Sequence, residues 1–333
     1  MIKMLMFDLK KTEKEFLKDY DTSDFDIKYS SGSLTKKTKL SPQECDETMI
    51  ISVFINSVVN REVLDKFKNL RIVLARSICY NHIDIEECRR RNIAVINVED
   101  YAKDAIAQFV IGLIFNMTRN ICESAEDVKK ETIRFEKYES QNIDKLSLGV
   151  IGTGSVGSEV CKIAHKLGMK IYANDIVKNK DISEYTQYLP LYDLLRKSDI
   201  VTLHIPYNKD FFHMISFKEF ELMKEGSYFI NTCHPDLVNL TAMYNAIKTL
   251  KLKGAAIDMI IQRELNIFDK EKGKPSYEEL EKNIVLRNLI NADNVIITPQ
   301  ISYDTKECLI KILISNFHSV KDYFSGRKTN RVV

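Results

Sequence analysis

The feature that most constrains this chain is a glycine-rich segment at residues 149–157, which reads Gly-Val-Ile-Gly-Thr-Gly-Ser-Val-Gly. An apolar run precedes it, a helical pattern over 158–167 follows it, and a second apolar run ends at Asp175, 18 residues after Gly157. This order predicts a strand, a tight turn, a helix and a second strand that ends in an acid. A G-x-G-x-x-G spacing alone is weak evidence, but in this context it indicates a dinucleotide site.

Each part of the segment has a physical task in such a site. Gly152 allows the tight turn, Gly154 lets the backbone approach a pyrophosphate, and Gly157 packs the helix against the strand. The unpaired N–H groups at the start of the helix bind the phosphates. Asp175 is expected to accept hydrogen bonds from the adenosine ribose and to repel a 2′-phosphate. The predicted cofactor is therefore NAD and not NADP.

Composition argues against several classes of partner. The 333 residues are enough for about two domains. The 49 basic and 47 acidic residues nearly balance and form no basic block, so we expect neither nucleic acid nor a membrane as a partner. The seven cysteines include no C-x-x-C pair, which favours reduced thiols in a cytoplasmic protein. No group of histidines has metal-ligand spacing, and we predict no metal site.

Apolar, β-branched runs alternate with helical patterns, which predicts an α/β protein with parallel sheets flanked by helices. The first set of predicted strands lies at 2–7, 49–54, 71–75 and 93–97. The second set lies at 149–151, 170–174, 199–204, 227–231, 254–258 and 294–298. A long helix over 102–119 separates the sets, and a final helix is predicted over 306–324. We expect a substrate domain formed by 1–100 with 300–333, and an NAD-binding domain formed by 101–299.

Several segments together carry a resemblance to a known family. They are the glycine motif, Ala75-Arg-Ser-Ile-Cys-Tyr-Asn-His-Ile-Asp84, Ser198-Asp-Ile-Val-Thr-Leu-His-Ile-Pro206, Met223-Lys-Glu-Gly-Ser-Tyr-Phe-Ile-Asn-Thr232, Gly254-Ala-Ala-Ile-Asp258 and Asn294-Val-Ile-Ile-Thr-Pro299. The chain resembles NAD-dependent D-2-hydroxyacid dehydrogenases over about residues 45–325, in the D-lactate dehydrogenase branch that includes the vancomycin-resistance enzymes. The resemblance implies a Rossmann-type cofactor domain and a flavodoxin-like substrate domain.

On the cofactor side the resemblance is nearly complete. It assigns the pyrophosphate loop to Gly154, Ser155, Val156 and Gly157, the ribose acid to Asp175, the segment beside the adenine to His204, Ile205 and Pro206, and the nicotinamide contacts to Thr232, Cys233 and Asp258. Asp258 is the group implied to hold the carboxamide. One departure is Phe211, where related sequences usually carry threonine.

On the catalytic side the chain departs from the family. His234 stands where the family has a substrate-binding arginine, and Gln300 stands where it has the acid/base histidine. The family glutamate corresponds to Arg263 by direct counting, or to Glu264 if one inserted residue is allowed. A glutamine cannot exchange a proton near neutral pH, and losing a positioned acid/base costs about 10²–10⁴ in rate. The chain is therefore not expected to be an ordinary D-lactate dehydrogenase.

The resemblance also implies substrate contacts at Ile78 and Cys79, where Cys79 replaces a family glycine, and at Tyr101. Three interpretations stay open. The first is an oxidoreductase with a rearranged site, in which His234 is the acid/base and Arg263 or another cation anchors a small-molecule substrate. The second is an NAD-binding protein without turnover that serves as a sensor or binds another protein. The third is an accessory biosynthetic enzyme that acts on a peptide or amine.

A homodimer is expected because related enzymes dimerise through the cofactor domain. The resemblance assigns the interface to the long helix and to an arm over 121–143, which looks charged and irregular. An apolar stripe on the long helix, formed by Ile106, Val110 and Leu113, is compatible with an interface. The same stripe is equally compatible with the core of its own domain.

Overall fold

The computed structural model describes residues 1–78, 80–133, 135–258, 277–327 and 329–333, with only the backbone of 277–282. The described chain divides into two compact units. Unit 1 comprises Met1–Tyr101 and Asp304–Val333, and unit 2 comprises Ala102–Tyr303. Among the described residues, no single helix is both long and apolar enough to span a membrane.

Unit 1 contains a parallel sheet with helices packed on it. Its described strands are β1 (Ile2–Met6), β2 (Phe25–Tyr29), β3 (Ile50–Val53), β4 (Ile72–Ala75) and β5 (Ala94–Ile96). Its described helices are α1 (Lys11–Asp19), α2 (Pro42–Glu47), α3 (Arg61–Leu64), α4 (Ile85–Arg90) and, at the end of the chain, α12 (Lys306–Phe324). The strand order is β2-β1-β3-β4-β5. The central strands β3 and β4 are buried along their whole length, as the continuous apolar runs predict.

The final helix belongs to the core of unit 1. Thr305 caps α12 by accepting a hydrogen bond from the Cys308 N–H, as expected for a threonine before a helix. Leu313, Phe317 and Val320 are buried in one cluster with Met4 and other residues of the sheet. Beyond this helix, 331–333 run antiparallel to β5. There the Val332 N–H donates to the Val95 carbonyl at 2.8 Å.

Unit 2 contains a larger parallel sheet. Its described strands are β6 (Ser147–Ile151), β7 (Lys170–Asn174), β8 (Thr186–Tyr188), β9 (Ile200–Leu203), β10 (Ser227–Asn231), β11 (Leu252–Asp258) and β12 (Val295–Thr298), in the order β12-β11-β10-β9-β6-β7-β8. Its described α-helices are α5 (Lys103–Arg119), α6 (Ile121–Lys129), α7 (Ser155–Lys166), α8 (Leu191–Lys197), α9 (Phe217–Leu222), α10 (Leu240–Lys248) and α11 (Tyr277–Ile290). Short 3-10 helices lie at Phe135–Tyr138, Ile143–Lys145, Lys180–Ile182, Lys209–Phe211 and Pro235–Leu237.

Two of these strands, β2 and β8, are absent from the set that the sequence predicts. Both are edge strands of their sheets. β2 reads Phe-Asp-Ile-Lys-Tyr and is partly exposed, and β8 has only three residues, Thr-Gln-Tyr. Neither sequence has the continuous apolar run by which the other strands are recognised, because β2 alternates charged with apolar residues and β8 is too short.

The apolar stripe of the long helix packs inside unit 2. Val110 and Leu113 are buried in a cluster with residues of β6 and α7, and Ile106 packs against that cluster. This stripe therefore stabilises the core of unit 2 and is not an exposed interface. The prediction of an irregular arm is wrong for its first part, because Ile121–Lys129 form α6. Its sequence Cys-Glu-Ser-Ala-Glu-Asp places acids early and Lys129 last, an order that complements the helix dipole.

Candidate cofactor and active site

The glycine segment forms the turn between β6 and α7. Gly152 has φ +89, and a Cβ there would lie 2.3 Å from the His204 carbonyl oxygen. A Cβ on Gly157 would lie 1.9 Å from the Gly152 carbonyl oxygen. Only glycine fits these two positions without a shift of the backbone. A Cβ on Gly154 would meet no described atom within 4 Å, so this position borders open space that a ligand can enter.

The start of α7 offers donors to that space. Gly154 is the N-cap residue, and no side chain caps the helix there. The helix of 12 residues continues through Ser155 and Val156, and its first intrahelical bond runs from Ser158 N–H to the Gly154 carbonyl. The N–H groups before Ser158 thus have no helical acceptor and, with the helix dipole, favour an anion.

Asp175 lies directly after β7 and is held against the glycine turn. Its Oδ2 accepts hydrogen bonds from the backbone N–H and the hydroxyl of Thr153, and its Oδ1 accepts one from Val177 N–H at 3.2 Å. Partial burial by itself raises the pKa of Asp175, but these donors outweigh burial and the pKa lies below its usual value. The carboxylate is therefore charged at neutral pH.

His204 follows β9, and its backbone carbonyl and its Cβ lie next to the glycine turn. Its ring is buried, Nε2 lies 2.9 Å from the Thr202 hydroxyl, and Nδ1 has no partner among the described residues. Burial lowers the pKa of His204 to about 3, so the ring is neutral. Pro206, two residues later, is exposed. The buried ring of His204 fits a structural role. We therefore expect the predicted contact with the adenine to come from the His204 backbone and from the residues that follow it.

Thr232 and Cys233 follow β10, and Asp258 is the last residue of the adjacent strand β11. The buried Thr232 hydroxyl has no hydrogen-bond partner among the described residues, so it can pair with a ligand. The Cys233 thiol donates to the Leu203 carbonyl at 3.0 Å. Burial raises the pKa of Cys233 to about 12, so the thiol stays protonated at neutral pH and is not a nucleophile.

The carboxylate of Asp258 organises the segment that carries Gln300. It accepts hydrogen bonds from the Thr298 hydroxyl, from Ile301 N–H at 2.9 Å and from Ser302 N–H at 2.7 Å. Gln300 has φ +55, a region that residues other than glycine seldom adopt. The contact of Asp258 with a carboxamide remains a prediction. The structure gives this acid a second task, which is to hold a strained turn in place.

His234 is the third residue after β10 and is half-buried. Its ring stacks on Tyr207 with centroids 4.3 Å apart. Nδ1 accepts a hydrogen bond from Asp236 N–H at 3.3 Å and lies 3.9 Å from the Asp236 carboxylate. No described residue hydrogen-bonds Nε2. Tyr207 was not among the predicted site residues, because nothing in its sequence context marks it as a partner of His234.

The remaining predicted site residues lie elsewhere. Arg263 and Glu264 fall outside the described residues, as does Cys79. In unit 1, Ile78 is partly exposed and its carbonyl accepts a hydrogen bond from the Asn97 amide, whereas Tyr101 is buried. Their contacts with substrate remain predictions.

The predicted cofactor residues, by contrast, gather at one edge of the unit 2 sheet. They follow β6, β7, β9 and β10 or end β11, and the carboxyl ends of these strands meet there because all of them are parallel. Ligands of open α/β sheets bind at this edge, and at the point where the strand order reverses. Here that point lies between β6 and β9. The open space beside Gly154, the free start of α7 and the Thr232 hydroxyl fit a dinucleotide placed across it.

Comparison with known proteins identifies the family. The NAD binding domain of the D-isomer specific 2-hydroxyacid dehydrogenases matches residues 111–302. The D-specific alpha-keto acid dehydrogenase of Enterococcus faecium is 32% identical over 261 residues, which cover 78% of each chain. The aromatic 2-oxoacid reductase of Clostridium sporogenes is 31% identical over 272 residues, 80% of this chain and 81% of that one.

A solved structure agrees with these sequence relatives. D-lactate dehydrogenase from Aquifex aeolicus, complexed with NAD and lactic acid, is 30% identical, has a TM-score of 0.79 and covers 97% of this chain and 96% of its own. The comparison confirms the predicted fold of two parallel-sheet domains flanked by helices. The predicted cofactor, NAD, is also confirmed by the family match. The chain belongs to the D-isomer specific 2-hydroxyacid dehydrogenase family, and unit 2 carries the NAD-binding domain of that family.

Proposed function

We propose that this chain is an NAD-dependent oxidoreductase that reduces a small 2-oxo acid, or a related carbonyl compound, at an altered active site. The relatives named above are an alpha-keto acid dehydrogenase, a 2-oxoacid reductase and a D-lactate dehydrogenase, which supports this substrate class. The observation that carries the proposal is the environment of His234, which stands where the family has its arginine.

The chain's own groups suffice to bind the cofactor. The glycine turn and the start of α7 would hold the pyrophosphate, Asp175 the ribose, and Thr232 a polar group near the nicotinamide. When bound, reduced NAD supplies a hydride to the carbonyl carbon. The protein must then supply a proton to the carbonyl oxygen and a partner for the substrate carboxylate.

His234 is suited to supply that proton. In the neutral ring Nδ1 accepts the Asp236 N–H, so the proton resides on Nε2. A second proton on Nδ1 would replace the hydrogen bond from the Asp236 N–H and could instead be donated to the Asp236 carboxylate, which lies 3.9 Å from Nδ1. The imidazolium can release its Nε2 proton, as a general acid must, and this leaves the other neutral tautomer, in which Nδ1 carries the proton. Stacking on Tyr207 fixes the plane of the ring in both states.

Steady-state oxidation of NADH tests the proposal across a panel of 2-oxo acids, aldehydes and imines. Turnover with the 2-oxo acids supports the proposed substrate class. Turnover with aldehydes or imines alone would indicate an active site that has no anchor for a substrate carboxylate. Absence of turnover with every compound, in a preparation that binds NADH, contradicts it.

A second function is favoured by Gln300. An amide cannot exchange a proton near neutral pH, and this residue stands where the family has its acid/base histidine. A chain that binds NAD without turnover, as a sensor or as the partner of another protein, is consistent with that replacement. NADH affinity in the usual micromolar range, no turnover and a co-purifying protein would together favour this function.

We also propose a homodimer formed through the arm at 121–143. Ile121, Val128, Ile133 and Phe135 are large apolar residues that unit 2 leaves exposed, Phe135 by 82%. Four such residues within one short segment are unusual for a monomer surface and are typical of an interface. A second copy of the chain is the partner that the family resemblance implies.

Substitution Phe135→Asp is expected to convert the dimer to a monomer, because it would bury an unpaired charge in the interface. Light scattering coupled to size-exclusion chromatography measures the mass. Leu250→Asp, at another exposed apolar residue of unit 2, is the matched control and should leave the mass unchanged. A wild-type mass of one chain, or a Phe135→Asp mass still equal to two, contradicts the interface.

A further inference from the structure

We propose that Tyr188 and Thr153 are positioning residues of the NAD site, which act together through Asp175. A chain of hydrogen bonds connects Asn179, Tyr188, Thr153 and Asp175. It holds the ribose acid and the glycine turn in one fixed arrangement. The proposal depends on NAD binding by unit 2 and not on the proposed reaction.

The direction of every hydrogen bond in the chain is determined by chemistry. The Asn179 N–H can only donate, and it donates to the Tyr188 hydroxyl oxygen at 2.9 Å. The Tyr188 proton is then free for the Thr153 hydroxyl oxygen at 3.0 Å. The carboxylate of Asp175 can only accept, so the Thr153 hydroxyl donates to its Oδ2, also at 3.0 Å. The Tyr188 and Thr153 hydroxyls therefore each donate one hydrogen bond and accept one, and this series of hydrogen bonds ends on the Asp175 carboxylate.

The same residues are fixed from other sides. Thr153 is buried, which shields its bonds from water. Its carbonyl accepts the side-chain N–H of Asn179 at 3.2 Å, so Asn179 contacts both ends of the Tyr188–Thr153 pair. Tyr188 is paired with Ala173 in the sheet, two residues before Asp175. The short strand β8 thus places the phenol where it can reach the turn.

This arrangement determines which oxygen of Asp175 is left for a ligand. Oδ2 already accepts both donors of Thr153, whereas Oδ1 accepts the Val177 N–H, and the Ile176 N–H makes a weaker contact with the carboxylate. A carboxylate has about four acceptor positions. Oδ1 therefore keeps a position for a ribose hydroxyl, and the chain of hydroxyls keeps the carboxylate from rotating away from it. Without Tyr188, the Thr153 hydroxyl can turn to other acceptors and this orientation is lost.

The test is the affinity for NADH, measured by fluorescence titration of the full chain. Tyr188→Phe is expected to raise the dissociation constant about tenfold, the usual effect of a lost hydrogen bond in a charged network. Tyr185→Phe is the matched control, since the Tyr185 ring stacks on His165 and its hydroxyl has no described hydrogen-bond partner. This control should bind NADH as the wild type does. Thr153→Ser keeps the hydroxyl and should also bind normally, whereas Thr153→Val should match Tyr188→Phe.

A double-substitution cycle separates positioning from a general loss of structure. If Tyr188 acts through Asp175, Tyr188→Phe should have no further effect on affinity in a chain that already carries Asp175→Asn. Reduced nicotinamide mononucleotide, which lacks the adenosine ribose, should bind Tyr188→Phe and wild type equally. An effect that persists in the Asp175→Asn chain, an equal loss for the mononucleotide, or an unchanged affinity for NADH overturns the proposal. Failure of the wild type to bind NADH would refute the cofactor assignment itself.

Discussion

Substitution Gly154→Ala is expected to weaken NADH binding at least about 100-fold, equivalent to roughly 2.7 kcal/mol, while the thermal stability of the chain stays unchanged. The added methyl group meets no described atom within 4 Å, and the residue has φ −64, which alanine adopts without strain. The folded chain therefore accommodates the substitution. The methyl group instead occupies the space through which a pyrophosphate must approach the backbone. Calorimetric titration with NADH, together with thermal unfolding, measures both quantities.

Substitutions of two other glycines of unit 2 show whether the loss of NADH binding is specific to Gly154. Gly157→Ala places a Cβ 1.9 Å from the Gly152 carbonyl oxygen, so it should lower both NADH affinity and stability, the latter by about 1–3 kcal/mol. Gly112→Ala lies on α5, where a Cβ also meets nothing, and should leave NADH affinity intact and stabilise the helix by up to about 1 kcal/mol. NADH binding by Gly154→Ala at wild-type strength would mean that the cofactor does not approach this turn.

Substitution His234→Ala is expected to lower kcat by about 10²–10⁴ with any carbonyl substrate that the wild type reduces, because it removes the proposed proton donor. The affinity for NADH should change little, since the ring contacts Tyr207 and Asp236 and not the glycine turn. Stopped-flow transients and steady-state rates, measured beside NADH titrations, separate the two effects.

Gln300 provides the matched comparison for His234. Gln300→Ala removes an amide that cannot exchange protons and should change kcat far less than His234→Ala does. Gln300→His combined with His234→Arg introduces the two residues that the resemblance predicts at these positions and is expected to increase the reduction of 2-oxo acids. A larger loss of kcat in Gln300→Ala than in His234→Ala would show that His234 is not the acid and that the carbonyl is polarised from the Gln300 side.

The residues differ in how far their sequence context revealed their structural roles. The central strands and α12 were predictable because each buries a continuous apolar run or a periodic stripe, and α12 has the predicted limits Lys306 and Phe324. β2 and β8 were not, because β2 mixes charged with apolar residues and β8 has only three residues, so neither has that signal. The cofactor turn was recognisable because phosphate binding imposes glycine at fixed spacing. The same spacing implies that Gly152 and Gly157 lie in close contact with neighbouring backbone atoms, where a side chain would not fit.

Contacts between distant parts of the chain were beyond sequence reasoning. Tyr188 and Thr153 are 35 residues apart, and neither position has a pattern that indicates the other. The same holds for Asp258 and the N–H groups of Ile301 and Ser302. Hydrogen bonds between such positions depend on strand order and register, which a single sequence does not reveal.

The pairing of 331–333 with β5 has a consequence for how the chain avoids aggregation. With that rim of the unit 1 sheet covered, β2 is the remaining edge in the described part of that sheet. β2 carries Asp26 and Lys28, and Lys28 forms an ion pair with Glu44 at 3.2 Å. A strand from another molecule that paired with β2 would have to desolvate these charges. Natural sheets use charged side chains on edge strands in this way to prevent edge-to-edge pairing. Fibril formation that starts at this edge is thereby disfavoured. Self-association would instead use surfaces on which side chains, and not backbone groups, become buried.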